Sequence, residues 1–62
     1  MQHTEFSRGI YRILKPLIDD EGADQSRRTK ATILAAQAMD PGDKALLALK
    51  AIEMAAEYKG KG

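Results

Sequence analysis

The chain contains no cysteine and no tryptophan, and it has a single histidine. Without cysteine there is no disulfide framework and no thiolate metal site. His3 lies in a segment that we expect to be frayed, so a histidine-activated nucleophile is not expected either. No segment approaches the ~20 consecutive apolar residues that cross a bilayer, and residues 1–9 lack an apolar signal-peptide core. We therefore expect a cytoplasmic protein without a membrane partner.

Motifs for catalysis or cofactor binding are also missing. Asp19, Asp20 and Glu21 are adjacent, but they lack the alternating ligands and the closing glutamate of a calcium loop. Gly9 and Gly22 are isolated, so no glycine-rich loop is available to hold a phosphate. The sequence predicts a protein that is not an enzyme and that binds no metal, no cofactor and no small-molecule substrate.

Size and composition predict a thin core. The 62 residues are expected to form one domain, residues 1–62. A chain of this size buries only about 60% of its unfolded surface, which leaves stability marginal. Many of the core candidates are alanines, which bury little area but let helices approach closely. Oligomerisation is a common remedy for small scaffolds that lack disulfides and metals.

Apolar residues recur at helical spacing over three segments, and no stretch alternates with the period of two that is typical of a strand. The helices are predicted at about residues 4–18, 25–39 and 41–58, followed by a disordered tail at residues 59–62. A very short connection should make helices two and three antiparallel neighbours. The predicted fold class is all-α, a three-helix domain with a C-terminal antiparallel αα-hairpin.

The helix ends are predicted from capping residues. Thr4 is expected to cap helix one, and Asp24 or Ser26 to cap helix two. Asp40 is the predicted cap of helix three, with Pro41 in the first helical position, where its missing N–H has no cost.

Two residues weaken helix one. Gly9 costs roughly 1 kcal/mol relative to alanine in a helix interior, and Pro16 lacks a backbone donor. We expect a kink or an early end near Lys15, with Leu17 and Ile18 still packed inward.

The third helix is apolar over an arc of about 220°, whereas a surface helix facing one core needs about 100°. One flank carries Leu47, Met54 and Tyr58. The other flank carries alanines together with Leu49 and Ile52. If helix one packs on one flank and helix two on the other, no partner is needed. If helix one is too short, the flank with Leu47 stays open.

The preferred hypothesis is a small helical interaction module that self-associates or binds a helical protein partner through helix three. Amphipathic helices with methionine and aromatic side chains are suited to such packing. The predicted contact residues are Leu46, Leu47, Met54 and Tyr58.

The alternative hypothesis is a regulatory protein that binds DNA or RNA. Short polar residues mixed with arginine at a helix start can contact phosphates or bases. Ser26 and Thr29, followed by Ile33, resemble the start of a helix-turn-helix recognition helix, although Lys30 replaces an apolar residue of that pattern. The candidate contacts lie on helix one and at the start of helix two: Arg8, Arg12, Lys15, Arg27, Arg28 and Lys30.

Overall fold

The computed structural model describes residues 4–61, with side chains to Lys59. It contains three α-helices, α1 (Glu5–Ile18), α2 (Gln25–Gln37) and α3 (Lys44–Lys61), and this part of the chain contains no strand. The all-α, three-helix prediction is therefore confirmed. His3, which was expected in a frayed terminus, lies outside the described residues, as does Gly62.

Helix α1 begins at a capping box. The Thr4 hydroxyl oxygen accepts a hydrogen bond from the Ser7 amide at 3.0 Å, and the Ser7 hydroxyl oxygen accepts one from the Thr4 amide at 2.9 Å. Ser7 also donates to the Thr4 carbonyl at 3.0 Å. These bonds satisfy amides that have no partner inside the helix, and they allow Ser7 to be buried without loss of hydrogen bonding. The predicted role of Thr4 is confirmed.

Helix α1 continues through Pro16 and ends at Ile18, which confirms the predicted bound at residue 18. Of the two effects expected near Lys15, a kink or an early end, the early end does not occur. Pro16 is exposed, and the backbone regains a bond beyond it, where the Asp19 amide donates to the Lys15 carbonyl at 2.9 Å. Leu17 is buried and Ile18 is half-buried against the core, as predicted.

The connector between α1 and α2 is held at both ends. Asp24 caps α2, its carboxylate accepting from the Ser26 amide at 3.4 Å. Arg28 reaches back across the connector and donates from Nε and Nη2 to the Ile18 carbonyl, at 3.2 and 3.1 Å. That carbonyl belongs to the last turn of α1, where no intrahelical amide is available. Arg28 therefore caps the preceding helix.

The turn between α2 and α3 differs from the prediction. Helix α2 ends at Gln37 and α3 begins at Lys44, so the connection is longer than expected. Asp43 is the N-cap, because its carboxylate accepts from the Leu46 amide at 3.1 Å and its carbonyl accepts from the Leu47 amide at 3.0 Å. The prediction of Asp40 as the cap is wrong.

At its other end α3 is longer than predicted. The backbone remains helical to Lys61, through Gly60, where a break and a disordered tail from residue 59 were expected. Gly60 therefore does not end the helix as a left-handed C-terminal glycine would.

The three helices pack up, down and up. The starts of α1 and α3 meet, since the Lys44 Nζ atom lies 5.6 Å from the Phe6 ring centroid. Their ends meet as well, where Tyr58 bonds Asp20 just beyond α1. Helix α2 runs antiparallel to both, and α1 makes most of the interhelical contacts, whereas α2 and α3 contact each other less.

The buried core is small, and α1 supplies its large side chains. Its apolar members are Ile10, Leu14, Leu17, Ala31, Leu34, Ala38 and Ala51. The alanines lie on the α2 and α3 side, which lets those two helices approach α1 closely. Among residues 4–59, the only large buried side chain outside α1 is that of Leu34. The large side chains with which α3 packs against the core, such as Leu47 and Met54, are only half-buried.

Candidate functional site

The predicted open flank of α3 is covered. Leu47, Met54 and Tyr58 are half-buried and pack against the core cluster. Three of the four predicted contact residues therefore serve the intramolecular packing. Leu46 is the exception, with 48% of its surface exposed. The flank left open is the opposite one.

The outward face of α3 carries three large apolar side chains on consecutive turns. Leu46, Leu49 and Ile52 are 48%, 52% and 54% exposed. Ala45 and Ala56 are also exposed and extend this surface toward both ends of the helix. We call these five residues the outer stripe. Single exposed leucines are ordinary, whereas the outer stripe is a run of exposed apolar neighbours on one helix face.

A second structured region joins the connector to the end of α3. The Tyr58 hydroxyl donates to the Asp20 carboxylate at 2.7 Å, and the other oxygen of that carboxylate accepts from the Gly22 amide at 2.9 Å. The bond from Tyr58 is the main cause that lowers the pKa of Asp20, and it raises the pKa of Tyr58. The hydroxyl and the carboxylate are hydrogen-bond partners of each other, so we assign this contact a role in the stability of the fold.

The six candidate nucleic-acid contacts do not share one surface. Arg28 is half-buried and bonded to the Ile18 carbonyl. Arg27 lines a groove with Tyr58 near the end of α3, and Lys30 lines the groove between α2 and α3. None of these grooves is lined by candidate cations of both helices, so a single basic patch of the kind that the alternative hypothesis needs is not supported.

The three cations of α1 do lie together. Arg8, Arg12 and Lys15 line a groove of ≈ 520 Å³ between α1 and α2. Lys15 forms an ion pair with Asp19 and lies 6.0 Å from the Tyr11 ring centroid. The hydrogen bond to Asp19 raises the pKa of Lys15. Tyr11 is 45% exposed in the same groove, so an aromatic ring accompanies the positive charge.

Comparison with known protein families, curated protein sequences and solved structures finds no match to this chain. The exposed surfaces of the chain are therefore the features that bear on its function. Within residues 4–61, no group of three or more histidine or acidic side chains is arranged to hold a metal ion. No helix in the described part of the chain has the length and apolar character needed to span a membrane.

The sequence placed Leu49 and Ile52 on one flank of helix three, but the predicted contact surface was the opposite flank together with Leu46. Tyr11 was also not assigned to the basic face of α1. The helical spacing of Leu49 and Ile52 was a sufficient signal for a shared face, but not for its exposure. The bond between Arg28 and Ile18 has no local sequence signal, because the two residues belong to different helices.

Proposed function

We propose that this protein is a non-enzymatic helical interaction module that self-associates through the outer stripe of α3. The observation that carries the proposal is the exposure of Leu46, Leu49 and Ile52, each about half, on one helix face. Burial of such side chains against a second copy removes apolar surface from water, at about 25 cal/mol per Å². Because the core is small, the apolar surface buried by association would also add to the stability of the fold.

The spacing within the outer stripe suits pairing with a like helix. Ala45, Leu49, Ile52 and Ala56 are separated by four, three and four residues, the alternation of a coiled-coil seam. In an antiparallel pair, Leu49 of one copy lies opposite Ile52 of the other, and Ala45 lies opposite Ala56. The large side chains then meet at the centre and the small ones at the ends. Such a contact is isologous and closes as a dimer.

Nucleic-acid binding has less support as the main function. Only Arg8, Arg12 and Lys15 share a surface, and Lys15 is paired with Asp19. Few phosphate contacts give weak binding, because affinity for nucleic acid grows with the number of neutralised phosphates.

The first experiment is analytical ultracentrifugation of the full chain over a wide concentration range. The average mass is expected to rise from the 6.8 kDa of the monomer toward twice that value. Leu49→Glu is expected to abolish this rise, because it places a charge at the centre of the seam. Since Leu49 is exposed, the variant should unfold at nearly the same temperature as the wild-type monomer.

Tyr11→Glu is the matched control. Tyr11 is similarly exposed but lies in a groove to which α3 contributes no residue. This variant should associate like the wild type. A wild-type chain that stays monomeric, or equal loss of association in both variants, contradicts the proposal.

A further inference from the structure

The groove between α1 and α2 has an apolar side and a positive side. The apolar side, which we call the floor, is formed by Ala35 and Ala36 of α2 and by Met39 just after it; the positive side, which we call the rim, is formed by Arg8, Tyr11, Arg12 and Lys15 of α1. The groove has a volume of ≈ 520 Å³ and includes no residue of α3. It is therefore a surface separate from the outer stripe, and its role does not depend on self-association.

The positive charges of Arg8 and Arg12 on the rim have no ion-pair partner within residues 4–59. Within residues 4–61, the one ion pair is that of Lys15 with Asp19. Arg8 and Arg12 are exposed on successive turns of α1. Two guanidinium groups that are four residues apart can donate hydrogen bonds to carboxylates at the matching spacing on another helix. The rim therefore favours an acidic partner.

The floor favours an acidic protein helix over a nucleic acid. Alanine and methionine side chains offer no hydrogen-bond donor or acceptor that reads a base edge. The Ser7 hydroxyl at the groove is already bonded to Thr4. Binding of single strands generally uses several aromatic residues, whereas Tyr11 is the one aromatic side chain here. An apolar floor beside a polar rim is the arrangement that receives the apolar face of an amphipathic helix.

We infer that this groove binds an acidic amphipathic helix of another protein. The apolar side chains of that helix lie on Ala35, Ala36 and Met39, and its glutamates face Arg8 and Arg12. Tyr11 packs beside the helix and supplies most of the aromatic contact area. Helix α1 has 14 residues, which corresponds to about 21 Å, so a bound helix of about four turns spans the groove.

The test uses the full chain and two labelled peptides of about 16 residues, matched to the length of the groove. Both carry leucine at helical spacing. One has glutamate beside the leucines, and the other has lysine at the same positions. Fluorescence anisotropy at low and at physiological salt measures binding of each. The glutamate peptide should bind at least about tenfold more tightly than the lysine peptide, with affinity that falls as salt rises.

Variants then locate the site. The double variant Arg8→Ala, Arg12→Ala should weaken binding of the glutamate peptide about tenfold, and Tyr11→Ala about fivefold. Lys30→Ala is the control for charge, since Lys30 lines a different groove. Leu49→Glu is the control for association and should bind the peptide like the wild type. Circular dichroism verifies that each variant is folded.

Three outcomes overturn the inference. They are equal binding of the two peptides, unchanged binding in the double arginine variant, and equal loss in Lys30→Ala. Single-stranded and duplex DNA of mixed sequence are measured in parallel. If DNA binds, the double arginine variant weakens it and the glutamate peptide does not bind, the groove is a nucleic-acid site instead.

Discussion

The hydroxyl of Tyr58 donates a 2.7 Å hydrogen bond to the carboxylate of Asp20, and this bond ties the last turns of α3 to the connector that follows α1. The two residues are 38 positions apart in the chain. The same carboxylate receives the Gly22 amide, so one side chain orders the connector and anchors α3. The contact explains why the Tyr58 flank of α3 faces inward.

Removal of this hydroxyl should change the pH dependence of stability. The bond lowers the pKa of Asp20 from its ordinary 3.8. The stability that this shift contributes is fully present above pH 3.8 and is lost as the pH falls through the folded-state pKa. The bond also raises the pKa of Tyr58 from its ordinary 10.0. The stability that this shift contributes is fully present below pH 10.0 and is lost as the pH rises through the folded-state pKa. The contribution is therefore largest between these two values.

Tyr58→Phe should lower the melting temperature at pH 7 by a few degrees. The difference from the wild type should shrink below about pH 3. Thermal melts followed by circular dichroism measure both values. Tyr11→Phe is the control, because the exposed Tyr11 makes no side-chain hydrogen bond with residues 4–61, and it should melt like the wild type at each pH. A Tyr58→Phe difference that is constant with pH would argue against the role of Asp20.

Arg28→Ala should lower the free energy of unfolding by about 1–2 kcal/mol, because the Ile18 carbonyl loses both donors. Arg28→Lys keeps a positive charge near the end of α1 but loses the paired geometry, so its effect should be intermediate. Urea titrations measure both variants. Arg12→Ala, an exposed arginine on α1, should change stability by less than about 0.5 kcal/mol. Equal effects of Arg28→Ala and Arg12→Ala would exclude the cap.

Asp43→Ala should lower the free energy of unfolding by about 1 kcal/mol, since the Leu46 amide loses its partner at the start of α3. Asp40→Ala removes the same charge three residues earlier and should change stability by less than about 0.5 kcal/mol. Urea titration of the two variants at one ionic strength separates the capping effect from the charge effect. A larger effect at Asp40 would move the start of α3 to Pro41.

Gly9→Ala should raise the free energy of unfolding by about 0.5–1 kcal/mol. Gly9 lies inside α1, and a Cβ atom added there meets no heavy atom within 4 Å. Alanine therefore reduces the conformational freedom of the unfolded chain without a steric cost. Thermal and urea unfolding measure the gain. Loss of stability would show that the helix needs the glycine.

Local features were predicted well because they depend on residues a few positions apart. Thr4 was predicted as the cap of helix one, and Asp24 was one of two candidates for helix two; both caps are observed. The inward packing of Leu17 was also predicted. The start of α3 was misassigned because Asp40 and Asp43 both have a side chain that can cap a helix, and the bond from the Leu46 amide selects Asp43.

Hydrophobic periodicity alone determined that this chain forms three amphipathic helices and that α3 has more apolar surface than one neighbour covers. Only the tertiary structure decided which flank of α3 is covered. Periodicity gives the angle of each side chain around its own helix axis, but the position of α1 depends on contacts between distant residues, such as Tyr58 with Asp20. The distribution of the cations over separate grooves has the same cause. Leu49 and Ile52 therefore lie in the exposed outer stripe, whereas Leu47 and Met54 pack against the core.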